Sequence, residues 1–359
     1  MIYREAGEFK SSYQADQAIL TIRQDRWFIW GLMAFAFLVI PAISSEYWLT
    51  TIMLPFLILG LAALGLNILT GYAGQLSLGT GGFMATGAFA AYKLATAFPE
   101  LNIVIVILAS GLITSGVGIL FGVPSLRIKG FYLAVATLAS QFFLIWMFNK
   151  FGWFTNYSAS GVISAPPMSV FNEILVTGPH ATPVAKYLFV LTLVVLLTLV
   201  AKNLVRSNIG REWMAVRDMD IAAEIIGIPM LSTKLKAFAV SSFYCGVAGA
   251  LWAFLHTGSV EPLAFDVNRS FQVLFMVIIG GLGSIMGAFL GAGFIVLLPI
   301  LLTNAPHWFG LNIAVDTISH IEFMVFGILI IFFLIVEPHG LARLWQITKE
   351  KLRLWPFPY

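Results

Sequence analysis

Apolar runs of about 17–25 residues recur along this 359-residue chain, separated by short polar or glycine-rich breaks. That is the length a helix needs to cross the hydrocarbon core of a bilayer. Nine runs fall near 27–43, 47–69, 75–98, 101–122, 131–149, 184–202, 237–257, 284–303 and 318–336. A shorter apolar piece, 270–282, runs into Gly280-Gly281-Leu282-Gly283-Ser284 and suits either a short span or a re-entrant segment. Hydrophobic residues make up 59% of the chain and charged ones 10%, against about a quarter charged in ordinary soluble domains. So few charges could not cover an apolar core in water, whereas lipid tails accept an apolar exterior. The expected fold is an all-α, polytopic transmembrane helical bundle.

Charge distribution tests the count. With the N-terminus inside and ten crossings, the inner segments are 1–26, the turn near 70–74, the loops 123–130 and 203–236, the break near 283, and the tail 337–359. Sixteen of the twenty basic residues then collect on that side. They are Arg4, Lys10, Arg23, Arg26, Arg127, Lys129, Lys202, Arg206, Arg211, Arg217, Lys234, Lys236, Arg343, Lys349, Lys351 and Arg353. Cytoplasmic loops retain Lys and Arg, so ten spans with both termini cytoplasmic is the expected topology. Three regions follow: an N-terminal extension 1–26, a transmembrane domain 27–336, and a tail 337–359. The extension shows no secretory signal, and the first apolar run is expected to act as an uncleaved anchor. The long outer stretch 150–183, rich in Gly and Pro, reads as an irregular external loop.

Three stretches carry more information. In Leu66–Phe83, polar side chains and glycines interrupt hydrocarbon-compatible sequence, with Asn67, Gln75, Ser77, Gly79, Thr80 and Gly82 clustered. Unwound backbone at membrane depth survives only in a protein interior or a wet cavity, so a translocation pathway is one reading. Close helix packing is the other, since Ser77 and Gly81 form a small-xxx-small pair. Gly283, Gly287 and Gly291, four apart, line one helix face and read as a packing seam, internal or between subunits. The loop 203–236 is too charged to span and too long for a turn. Its residues 211–226 lack Gly and Pro, and place Ala215, Met219, Ala222 and Ile226 on one helical face opposite Arg217, Asp220 and Glu224.

Other chemistry is thin. The five histidines, His180, His256, His307, His320 and His339, are scattered, and no metal site or cofactor is expected. There is no phosphate-binding glycine loop and no nucleophile elbow, so neither ATP binding nor catalysis is expected of this chain. The net charge of +3 gives no reason to expect nucleic acid. Lys93 and Glu322 lie near the outer ends of spans, where anchoring competes with function. Arg269 falls on the outer side beside Asp266. The single cysteine, Cys245, reads as a small packing residue.

The loop carries a specific likeness. Arg206-Ser207-Asn208-Ile209-Gly210-Arg211, then Ala215-Val216-Arg217-Asp218, Ile221-Ala222-Ala223-Glu224 and Gly227-Ile228 resemble the cytoplasmic loop of the LivM/LivH permeases. Those are membrane subunits of branched-chain amino acid ABC importers. Leu66–Gly82, Leu126–Ala134, Gly280–Gly287 and Glu337–Ala342 resemble LivM-type chains in particular, so the likeness runs in order from about 47 to 345. Thr80 departs from it, standing where family members commonly carry histidine.

The resemblance implies that the loop, through Arg211, Arg217, Asp218, Ala222, Ala223, Glu224 and Gly227, docks on an ATPase. It implies a heterodimer with a second related permease, two ABC ATPase subunits, a periplasmic substrate-binding protein, and residence in the bacterial inner membrane. The implied cargo is a branched-chain or other hydrophobic amino acid, with urea, short amides and aromatic carboxylates as alternatives. An ion-coupled secondary transporter is disfavoured by the scarcity of mid-span carboxylates.

Overall fold

The computed structural model describes residues 11–12, 23–125, 131–158, 160–170, 174–178, 181–308, 315–336 and 339–354. The chain divides into two compact units, Met1–Ser45 and Glu46–Tyr359. In the first, helix α1 (Arg23–Ala34) continues through a π-helical turn, Phe35–Val39, into Ile40–Ile43. It carries Trp27, Trp30 and Leu38 exposed.

The second unit begins with a π turn, Trp48–Met53, leading into α2 (Leu54–Asn67) and a further π turn, Ile68–Tyr72. The first π turn of each unit ends two residues before a proline, Pro41 and Pro55. Proline has no N–H and crowds the carbonyl four residues back, which widens the preceding turn. Then come α3 (Thr80–Ala97), α4 (Ile103–Ser125), α5 (Phe131–Lys150) and α6 (Pro183–Arg206). Thr182 caps α6, its side chain accepting from Ala185 N at 3.3 Å, with Pro183 in the first turn. Two short helices, α7 (Asn208–Asp218) and α8 (Asp220–Ile225), precede α9 (Met230–Leu251) and its π-helical extension Trp252–Thr257. The chain finishes with α10 (Val267–Gly280), α11 (Ile285–Trp308), α12 (Val315–Val336) and α13 (Gly340–Leu354).

A helix covers most of each of the ten expected apolar segments. Eight helical segments among the described residues are long and apolar enough to cross a membrane: Asp25–Ile43, Trp48–Tyr72, Ile103–Ser125, Tyr132–Lys150, Pro183–Arg206, Met230–Thr257, Pro262–Gly280 and Ile285–Asn304. This is an all-α, polytopic membrane protein. Irregular strands are confined to the connection 150–183 and its partner. There β1 (Ile163–Ser164) pairs antiparallel with β4 (Ser259–Val260), and β2 (Ser169–Val170) with β3 (Ile174–Leu175).

Trp48–Tyr72 and Met230–Thr257 form the centre, 89% and 83% buried, with α9 packed on α2, α3 and α4. Lipid supplies no hydrophobic drive between helices, so close backbone contact must hold them. A Cβ on Gly87 of α3 would overlap the Gly246 backbone of α9, and one on Gly249 would overlap that of Met84. The outward faces of α4, α5 and α6 are apolar, with Leu112, Leu120, Phe142 and Leu196 exposed.

Candidate translocation site and coupling segment

Helix ends after Tyr72, and residues 73–79 are irregular up to Thr80. The expected helix from 75 therefore starts five residues late. Backbone groups of this stretch are satisfied from several elements. Gln75 N donates to Leu69 O at 3.0 Å, and Gln75 O accepts from Thr70 Oγ1 at 3.2 Å. Leu78 N donates to Thr137 Oγ1 of α5 at 2.9 Å, and Gly79 N to Ser77 Oγ at 3.3 Å. Gly79 passes so near α5 that a Cβ there would stand 2.9 Å from Thr137 O. This is backbone buried in protein, the condition for irregular structure at membrane depth.

The start of α3 meets the start of α10. Gly81 N donates to Ser270 Oγ at 2.8 Å, and Gly82 N to Gln141 Oε1. Gln141 Nε2 in turn donates to Phe265 O at 2.8 Å. A Cβ on Gly81 would lie 2.8 Å from Phe265 O and 2.9 Å from Asp266 O. Gln141 stands about 15 Å along α5, roughly half-way, so two helix N-termini converge well inside the bundle. Each carries partial positive charge. Two acceptors in this region are buried and unpaired: Gln75 Oε1 and Thr80 Oγ1. Gln75 Nε2 lies 3.5 Å from Lys234 O at the start of α9.

Asn67 joins this break to the one between α10 and α11. Its Nδ2 donates to Ser284 O at 2.7 Å, and its Oδ1 accepts from Gly283 N at 2.9 Å. Asn67 is fully buried, with both ends of its amide engaged across the two breaks. Gly71 lies against the same groups, where a Cβ would overlap Asn67 Oδ1 and Gly283 N. Of the expected glycine seam, Gly287 and Gly291 lie on α11 against the Gly280 and Met276 carbonyls of α10, so that seam is internal to the chain. Gly283 sits before α11, in the turn, at φ +74°, a conformation that favours glycine.

The expected single helix over 211–226 is two helices. Met219, at φ −152° and ψ 93°, separates α7 from α8. The cause is local: Asp220 occupies the first turn of α8, where a helix N-terminus favours an acid, and its Oδ1 accepts from Ile221 N at 2.9 Å. Trp213 fixes α7 from below, fully buried, its Nε1 donating to Thr233 O at 3.1 Å. Arg217 fixes it to the break. Its Nη1 donates to Gly71 O at 2.8 Å, its Nε to Asp218 Oδ1 at 2.8 Å, and its Cγ lies over Gly74. Arg211 is exposed and donates to Asn208 Oδ1. On α8, Ala223 is buried, whereas Ala222 and Glu224 are exposed. Gly227 follows at φ +90°, its N–H on Glu224 O at 3.0 Å. The apolar face does not turn inward: Met219, Ile221, Ile225 and Ile226 are each about three-quarters exposed, at 70%, 72%, 81% and 73%.

Gln141, Ser270 and Trp213 were not singled out from the sequence; Gln141, a polar amide in the apolar run 131–149, was the signal available. Lys93 donates to Asn156 Oδ1 at 2.5 Å and stands 4.5 Å above the Trp153 ring, beside an apolar cavity of about 570 Å³ that includes no residue of the 71–82 break. The side chain of Glu322, the loop residues Arg127 and Lys129, and Glu337-Pro338 lie outside the described residues.

The sequence matches the protein family described as branched-chain amino acid transport system / permease component over residues 48–334. It is 30% identical over 327 residues to the high-affinity branched-chain amino acid transport system permease protein LivM of Escherichia coli (strain K12), covering 85% of this chain and 71% of that one. The LivM protein of Salmonella typhimurium is 29% identical over the same length and shares. A probable branched-chain amino acid transport permease protein LivM of Methanocaldococcus jannaschii is 28% identical over 278 residues, 74% of this chain and 78% of that one. No solved structure gives a significant match. With an all-helical membrane bundle broken at 73–79 and 281–284, and a family match across nearly all of its second unit, this chain belongs to the branched-chain amino acid transport system permease family and is of LivM type.

Proposed function

We propose that this chain is one of two related membrane subunits of an ATP-driven importer in the bacterial inner membrane. It passes a branched-chain or other hydrophobic amino acid, delivered by a periplasmic binding protein. The names of its LivM relatives support that substrate class. In this reading α3 and α12 join the eight long apolar segments to make ten spans, with both termini cytoplasmic and the membrane domain running 27–336. The segment 203–236 then faces the cytoplasm, where the exposed apolar side chains of α8, rimmed by Arg217, Asp218 and Glu224, meet a groove on an ATPase subunit. Arg211, Ala222, Ala223 and Gly227 shape that surface.

One observation carries the reading: Arg217 ties the segment beside the exposed α8 face directly to the Gly71 carbonyl at the lip of the break. Closure of the two ATPases pushes α8, α7 moves with it, and the pull on Gly71 tilts the end of α2. The unwound stretch of Gln75, Ser77, Gly79, Thr80 and Gly82 then opens and closes the path. The unpaired acceptors Gln75 Oε1 and Thr80 Oγ1 suit the ammonium group of a passing amino acid.

Uptake of radiolabelled leucine into cells carrying the whole transporter, with and without its ATPases, tests the proposal. Uptake is expected only with ATPases present, and is expected to fall when Arg217, Asp218 and Glu224 are replaced together by alanine. Full-rate uptake on an ion gradient without ATPases would sink it.

A further inference from the structure

We propose that Arg269 and Trp252 form a carboxylate-receiving site on the translocation path, an inference that rests on the amino-acid permease reading. The Arg269 guanidinium lies over the Trp252 indole, with Cζ 4.2 Å from the ring centroid. Nη1 donates to Gln272 Oε1 at 2.7 Å, and Nε reaches Ala264 O at 3.4 Å. Neither partner is charged. Asp266, the nearest carboxylate in sequence, caps α10 and acts on the Arg269 charge only from beyond ion-pairing distance. Its Oδ1 accepts the backbone N–H of Arg269 at 3.1 Å, and its Oδ2 accepts from Asn268 Nδ2 at 2.8 Å. Among the described residues no carboxylate stands within ion-pairing distance of the guanidinium. Its Nη2 therefore keeps both donors.

A second donor beside it is also unspent. Trp252 is 6% exposed, and its buried Nε1 has no acceptor. Stacking accounts for the guanidinium lying on the ring, but it gives the buried Trp252 N–H no acceptor. Both features are costly. A cation in a segment apolar enough to span the membrane, Pro262–Gly280, marks a functional position unless paired. A buried N–H without an acceptor forfeits its desolvation energy. One ligand group removes both costs. A carboxylate takes two parallel N–H bonds from a guanidinium and still has lone pairs for an indole N–H.

The location fits the path. Arg269 adjoins Ser270, whose Oγ receives Gly81 N where α3 and α10 begin. An α-amino acid held with its carboxylate on Arg269 would stand close to that point of convergence. The chemical class follows: substrates bearing a free carboxylate, and not neutral amides or urea.

The test uses the complete importer. Initial uptake of radiolabelled leucine is compared for the wild type, Arg269→Gln, Arg269→Lys and Trp252→Phe, alongside ATP hydrolysis stimulated by the loaded binding protein and the amount of chain in the membrane. Arg269→Gln is expected to lower uptake on the order of tenfold or more while stimulated hydrolysis persists. Trp252→Phe, which keeps the ring and removes the N–H, is expected to lower it several-fold, with Arg269→Lys between the two. Uptake within about twofold of wild type in Arg269→Gln, at equal abundance, overturns the proposal. A parallel fall of uptake and hydrolysis in all three variants also overturns it, because that marks lost shape. If Arg269→Gln does not accumulate, unchanged uptake in the other two variants is the overturning result. Uptake that depends on Arg269 but needs no ATPase would instead refute the importer reading and leave the carboxylate site standing.

Discussion

Arg217 Nη1 donates to the Gly71 carbonyl across 2.8 Å, and Asp218 Oδ1 holds the same guanidinium at 2.8 Å. A charged side chain on α7 thus bonds a carbonyl at the π-helical end of an apolar segment. That turn is where the regular ladder of α2 gives out, so the bond acts on backbone already freed from its helix.

Replacing Arg217 by alanine removes a hydrogen bond to a charged donor, worth about 1.5 kcal/mol at the low end because the side chain is 33% exposed. Transport is expected to fall about tenfold. ATP hydrolysis is expected to continue at its basal rate and to stop responding to the loaded binding protein. Proteoliposomes that show normal stimulation with the Arg217→Ala chain would contradict the coupling role.

The exposed side chains Ile221 and Ile225 make a separable prediction. Changing both to serine is expected to alter thermal stability by no more than about 0.5 kcal/mol per site, since neither packs inside the chain. Copurification with the ATPases is expected to be lost. Retention of the ATPases on affinity resin at wild-type yield would count against α8 as the docking helix.

Asn67→Leu leaves the half-buried Gly283 N and Ser284 O without their side-chain partners. The expected cost is about 1–3 kcal/mol, read as a lower unfolding temperature of the purified chain. Asn67→Asp keeps the acceptor for Gly283 N and loses the donor, so it should fall between. Equal unfolding temperatures for leucine and asparagine would refute the role assigned to the amide.

Two glycines should respond oppositely to alanine. At Gly87 the added methyl overlaps the Gly246 backbone, and at Gly116 nothing lies within 4 Å. Gly87→Ala is expected to cost about 3 kcal/mol or more through overpacking. Gly116→Ala is expected to be neutral, or to stabilise by up to about 1 kcal/mol through helix propensity. Fluorescence-detected gel filtration after heating distinguishes them, and a stable Gly87→Ala chain would mean that α3 and α9 can separate.

How much of this could be read beforehand depended on which force set each feature. The apolar segments were legible because span length is written directly in composition, and each expected segment found a helix. The start of α3 was not, because Gly74–Gly79 is held out of helix by Thr137, Arg217 and Leu69, and Thr137 and Arg217 are distant in sequence. The break at Met219 lacks the Gly or Pro that announces one; Asp220 at the start of α8 marks it instead. Gln141 and Ser270 were hidden for a related reason. Their partners Gly82 and Gly81 lie 59 and 189 residues away, and nothing in a single sequence pairs them. In the glycine stripe, spacing identified the seam of Gly287 and Gly291 but included Gly283, which belongs to the turn.

The amide of Asn67 also sets a timetable. Its partner Gly283 lies 216 residues further along the chain, which a ribosome working at about 5–20 residues per second reaches roughly 10–40 s later. Until then the first membrane segments hold a polar group in the bilayer with no native acceptor or donor, a state that favours provisional contacts. Arrival of the α10–α11 hairpin ends the wait, so the Asn67 amide can take its native partners only once that late hairpin has been made.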